Sequence, residues 1–120
     1  MAKSHSLGKN GEILAINYLI DKGYSILEKN WVTGCKEIDI IAEDDEFIIF
    51  IEVKTRTADY RLHPRDAVSV AKQRNIINAA QSYIQGKSIE KEARFDIITL
   101  VMDGSGHVLE HIKDAFYPTL

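Results

Sequence analysis

The chain has 120 residues, 45% hydrophobic and 28% charged, with a net charge of −3. That length can bury a core of its own as one domain, 1–120, and the composition is globular rather than disordered. The charge argues against a protein that coats nucleic acid nonspecifically, and a single cysteine, Cys35, excludes an internal disulfide or a cysteine-based zinc cluster. No apolar run approaches the roughly 20 residues of a membrane span. The nearest, 13–20, is interrupted by Asn17 and has no small-residue cleavage site. A cytoplasmic protein with no membrane partner is expected.

The first element reads as a helix over about 6–22, with Ser6 as its N-cap and Gly23 as its stop. Glu12, Ala15, Ile16 and Leu19 fall at helical spacing, so a carboxylate shares the inward face and calls for a cation. Three strands follow. Residues 24–32 are rich in aromatic and branched side chains and are broken by Thr33-Gly34. Residues 37–42 alternate, with Glu37, Asp39 and Ile41 on one side and Ile38, Ile40 and Ala42 on the other. After the polar turn 43–46, residues 47–54 return as the second arm of an antiparallel hairpin, with Ile48, Phe50, Glu52 and Lys54 on one side.

Pro64 marks the start of a second helix running to about Gln85 and stopped by Gly86, its apolar stripe formed by Val68, Ile76, Ala80, Tyr83 and Ile84. Lys72 lies on that stripe, four residues from both Val68 and Ile76, so it either snorkels or points at something negative. Residues 94–102 read as a buried strand, 103–106 as a turn and 107–112 as a last strand. His107 and His111 have the spacing of zinc ligands on a helix, and a strand there removes that reading. The order α-β-β-β-α-β-β predicts an α/β fold with a central mixed sheet flanked by helices.

The chemistry gathers on the hairpin. Adjacent strands lie roughly 5 Å apart, so Asp39 on one arm and Glu52 and Lys54 on the other converge if the pleats align. Two neighbouring carboxylates repel and lose hydration together. A magnesium ion relieves both penalties and polarises a phosphoryl oxygen while acidifying a bound water. Lys54 would position that water or stabilise the developing charge. An acid-x-Lys triplet alone is commonplace, but two features strengthen this one. Residues 47–53 are apolar on both faces, which places Glu52 at the edge of a buried strand. Residues 54–74 then carry six cations (Lys54, Arg56, Arg61, Arg65, Lys72 and Arg74) against Asp59 and Asp66, a local net charge of +4. Such a stripe suits phosphates, and equally a solvated face. Trp31, Tyr83, Phe95 and Phe116 read as packing residues, and Arg94 with Asp96 as a structural ion pair.

The strings Glu37-Ile38-Asp39-Ile40-Ile41-Ala42 and Phe50-Ile51-Glu52-Val53-Lys54-Thr55-Arg56 resemble the signature of the uncharacterised bacterial YraN family. That family belongs to the PD-(D/E)XK nuclease superfamily, in a branch similar to archaeal Holliday junction resolvases. Gly8 through Glu12, Gly23-Tyr24, Asn30-Trp31, Ala67-Val68 with Lys72, and Arg94-Phe95-Asp96 extend the likeness over nearly the whole chain. The resemblance implies a restriction-endonuclease-like core, Asp39, Glu52 and the Val53 carbonyl as ligands of Mg2+ or Mn2+, Glu12 as a further acidic contact, and Lys54 as the catalytic lysine. With Asp39, Glu52 and Lys54 as the catalytic set, Arg56, Arg61, Arg65 and Lys72 become candidate phosphate contacts. Two positions depart from the pattern: Lys36 stands where a glycine usually precedes Glu-Ile-Asp, and Arg61-Leu62-His63 where a glycine is common.

The expected function is metal-dependent hydrolysis of DNA phosphodiester bonds, on branched or structured DNA. The alternative is a nucleic-acid-binding module with the same fold and little or no cleavage. A homodimer would match a two-fold junction substrate.

Overall fold

The computed structural model describes residues 2–57 and 68–118, with side chains from residue 7 onward. Its elements are α1 (Ala2–Asp21), β1 (Ser25–Thr33), β2 (Lys36–Glu43), β3 (Phe47–Thr57), α2 (Val70–Lys87), β4 (Glu92–Asp103) and β5 (Gly106–Phe116). The five strands lie in spatial order β1-β2-β3-β4-β5. β3 and β4 are parallel and the other neighbours antiparallel, so the sheet is mixed, as the element order predicts. Among the described residues, no helix is long and apolar enough to cross a membrane.

β3 explains the layering. Its alternate side chains enter two separate apolar layers. Ile49 and Ile51 pack with Ala15 and Leu19 of α1 and with Ile40, Ala42, Ile98 and Leu100. Ile48 and Phe50 pack with Ile41, Phe95, Ile97 and the α2 residues Ile76, Ala79, Ala80 and Tyr83. Full burial of such side chains contributes about 1.5–3 kcal/mol each, so the most apolar strand is the one most completely enclosed. Ile38 departs from strict alternation: it packs with Ile41 in the α2 layer rather than with Ile40. The aromatic residues are occupied in the same layer, Phe95 stacking between Phe50 and Phe116, and Trp31 meeting Tyr83 edge-on.

The helix ends differ from expectation where tertiary contacts outweigh local signals. α1 begins at Ala2, so Ser6 lies inside the helix rather than capping it; nothing between residues 2 and 6 breaks a helix. Its end is as expected, with Gly23 at φ 95° and the Gly23 and Tyr24 amides bonded to Ile20 and Leu19. α2 opens at Val70, capped by Ser69, whose hydroxyl accepts the Lys72 amide; Pro64 lies outside the described residues. Gly86 is inside α2. The stop is Ser88 at φ 52°, because Ile89 then closes onto the Ile84 carbonyl and packs beside Ile84 against the core. That apolar clasp carries the helix past its glycine.

One carboxylate is buried in a complete polar network. Asp96 accepts two bonds from Arg94 (2.9 Å each), one from His111 Nε2 (2.7 Å) and one from the Asp114 amide (3.0 Å). His111 Nδ1 lies 3.0 Å from the Tyr18 hydroxyl. The Arg94–Asp96 ion pair is thus structural, and His107 and His111 sit on β5, as the strand reading requires. These donors hold the Asp96 carboxyl below its usual pKa despite burial. Its stabilising contribution is therefore present above pH 3.8 and is lost as pH falls through the lower folded value. Asp96→Asn should flatten that acid limb of stability, measured by urea denaturation between pH 2 and 6.

α1 approaches β3 closely at one point. Gly11 is buried, and a Cβ there would overlap Thr55 Oγ1 and lie 3.1 Å from Thr55 Cβ. Gly11→Ala is expected to destabilise the chain by about 1–3 kcal/mol, whereas Gly8→Ala, where a Cβ meets nothing within 4 Å, should not. Paired denaturation curves check the difference.

Candidate active site

The β2–β3 ladder runs from Glu43↔Ile48 to Ile40↔Ile51. Asp39 and Glu52 stand next to that last pair on their own strands, and their carboxyl groups come close enough to interact. Asp39 Oδ2 accepts the Val53 amide at 2.9 Å, so a side chain rather than a main-chain carbonyl closes the ladder here. That bond also fixes the direction of the Asp39 carboxylate.

Glu52 is only 4% exposed. Its Oε2 lies 3.7 Å from the Lys54 ammonium and 4.0 Å from that of Lys72, while its Oε1 is buried with no hydrogen-bond partner. Burial and then the Asp39 charge push its pKa up to about 8, against the opposing pull of Lys72 and Lys54. Two ionised carboxylates have no hydrogen to share; carrying a proton, Glu52 can donate to Asp39. Ionisation therefore leaves a repulsive pair with one orphaned buried oxygen.

Three elements bring the charges in. β3 places Lys54 two residues along on the Glu52 side. α2 delivers Lys72 from its first turn, so the lysine on the apolar stripe does point at something negative. α1 brings Glu12, half-buried, its pKa raised by burial and then by Asp39. Glu12 has a neutral hydrogen-bond partner, Asn30, and shares a cavity with the cations Lys54 and Arg56. The Asn30 side chain draws its pKa back down, while Glu37 pushes it further up. Asn30 sits at φ 50°, a conformation asparagine tolerates better than most residues; in the sequence it stood out only as part of the Asn30-Trp31 match to the family.

Glu12, Val53, Lys54 and Arg56 line a cavity of about 340 Å3 beside Leu7 and Gly8. Arg56 Nη1 donates to the Thr55 carbonyl at 3.0 Å. Arg61 and Arg65 lie outside the described residues. Lys36, the unusual residue before Glu37, pairs regularly with Thr33, and the turn is taken by Gly34 at φ 61°.

The donor set suits a small hard cation. Among the described residues, no three His, Cys, Asp or Glu side chains form a ready-made cage. Magnesium needs less: one or two carboxylates, with waters and phosphate completing its shell. Asp39 and Glu52 supply the two carboxylates, and a cation would satisfy the orphaned Glu52 oxygen.

A mixed five-stranded sheet in this order, flanked by two helices, is an α/β fold consistent with a restriction-endonuclease-like core. The chain belongs to the uncharacterised protein family UPF0102, whose model matches residues 11–100; this is the YraN family suggested by its motifs. It is 48% identical to a UPF0102 protein of Phocaeicola vulgatus over 100% of this chain and 99% of the relative. A Parabacteroides distasonis relative is 43% identical over 98% of this chain and 97% of its own. A Chlorobium chlorochromatii relative is 45% identical, covering 92% and 91% respectively.

The raised Glu52 pKa has a consequence for stability. Between pH 4.5 and about 8 the folded chain holds a proton that the unfolded chain has released, so stability falls as pH rises through that window. Glu52→Gln abolishes the loss. In EDTA its advantage over the unaltered chain should grow from pH 4.5 and level off above 8, reaching about 1 kcal/mol or more; melting curves across that range check it.

Proposed function

We propose that this chain is a magnesium- or manganese-dependent endonuclease that hydrolyses phosphodiester bonds in DNA, with branched or otherwise structured DNA as substrate. The observation that carries the reading is the buried Glu52 beside Asp39, one of its oxygens unpartnered, at a rim where two lysines arrive. A purely structural carboxylate in this position would be expected to have its donors in place.

Asp39 and Glu52, with the Val53 carbonyl, hold the ion, and Glu12 makes a water-mediated contact from the α1 side. When bound, the ion polarises a phosphoryl oxygen and lowers the pKa of a coordinated water. Lys54 orients the attacking water and offsets charge developing on the phosphate. The Asp39 bond to the Val53 amide keeps one carboxylate aimed before substrate arrives, which reduces reorganisation during reaction. Arg56, Lys72, Arg61 and Arg65 receive the flanking phosphates. A homodimer would offer two such sites to a two-fold junction.

The test is cleavage of labelled linear duplex, flap, four-way junction and single-stranded DNA in magnesium, manganese or EDTA. Cutting that requires metal and disappears in an Asp39→Ala, Glu52→Ala double variant is expected, with Lys54→Ala reducing the rate by about 10²–10³. No cutting on any substrate, with salt-sensitive binding that survives the double substitution, would replace the nuclease with a binding module.

A further inference from the structure

Glu52 is contacted by two ammonium groups that differ in attachment. Lys54 is on the same strand, two residues away, with a side chain 27% exposed; Lys72 comes from another element and is 40% exposed. Neither approaches within the 2.7–2.9 Å of a charge-assisted hydrogen bond, so neither is fixed to Glu52 by one. Lys72 also stands in the first turn of α2, which carries no acid and where the helix field disfavours a cation. Its main-chain amide is already committed to Ser69. Among the described residues, Glu52 is the acid that pairs with that ammonium.

A divalent ion on Glu52 ends that pairing, because it neutralises the carboxylate and repels the ammonium. Resting on the reading above, we propose that Lys72 is an exchangeable contact of Glu52: it lies against that carboxyl group in the metal-free chain and is released by the metal to a substrate phosphate. Lys54, tethered to the same strand face, stays beside the reacting group. Lys72 is a positioning residue in the first state and a phosphate contact in the second. Metal loading thereby prepares the substrate seat on the α2 side of Glu52, away from the cavity lined by Glu12.

Calorimetric titration of the full chain with Mn2+, without DNA, tests the exchange. Lys72→Met should bind Mn2+ about two- to fivefold tighter than the unaltered chain, the scale of a lost partly exposed ion pair. Arg74→Met, which removes a more exposed charge from the same helix, should bind as the unaltered chain does. Lys72 acetylation under limiting acetic anhydride, followed by mass spectrometry, should also accelerate on adding Mn2+. Equal or weaker metal binding by Lys72→Met, or a Mn2+-independent acetylation rate, overturns the exchange while leaving the nuclease reading in place. An unaltered chain that binds no Mn2+ overturns both.

Discussion

Two carboxylates held on facing strands, one of them cut off from water, are the constraint around which this structure is arranged. Glu52 follows Ile51 in the most enclosed strand of the sheet and pairs in register with Ile97 of β4. The packing that stabilises β3 therefore also strips solvent from the acid at its end. Asp39 arrives across the hairpin with its direction set by a main-chain amide. Both helices then contribute charge to this spot, Lys72 from one layer and Glu12 from the other. A local conflict of this kind, in a chain whose other levels agree, is what a functional site looks like energetically.

The comparison with Asp96 shows that burial alone does not decide the matter. Asp96 and Glu52 are both buried acids on adjacent strands. Four donors converge on Asp96 and hold its pKa down. Glu52 has two distant ammoniums, a facing carboxylate and an oxygen without a partner, and its pKa goes up. The sign of the shift follows the supply of hydrogen-bond donors and neighbouring charge. One group is a rivet in the core; the other keeps a buried oxygen that no described donor satisfies.

Much of this was legible in the residues themselves. Two-residue alternation in 47–54 separated the two layers and put Glu52 and Lys54 together, and a short polar turn implied the hairpin that set Asp39 across from them. Lys72 declared its role by standing on an apolar stripe. What escaped depended on contacts distant in sequence. The face taken by Ile38 depends on packing across the sheet, and the end of α2 on Ile89 reaching Ile84 rather than on Gly86. The Asn30 contact with Glu12 also escaped, because it depends on a left-handed backbone conformation that no periodicity reveals.

The unequal thickness of the two layers has a dynamic consequence. α2 sinks four side chains completely into its layer, including Tyr83. Among its described side chains, α1 has Ala15 and Leu19 fully enclosed, beside the bare contact of Gly11 with Thr55. Elements with little buried apolar surface open at lower free energy than the body of a fold. α1 is therefore expected to lift from the sheet at lower free energy than α2 in native-state hydrogen exchange, carrying Glu12 with it while the α2 layer stays closed.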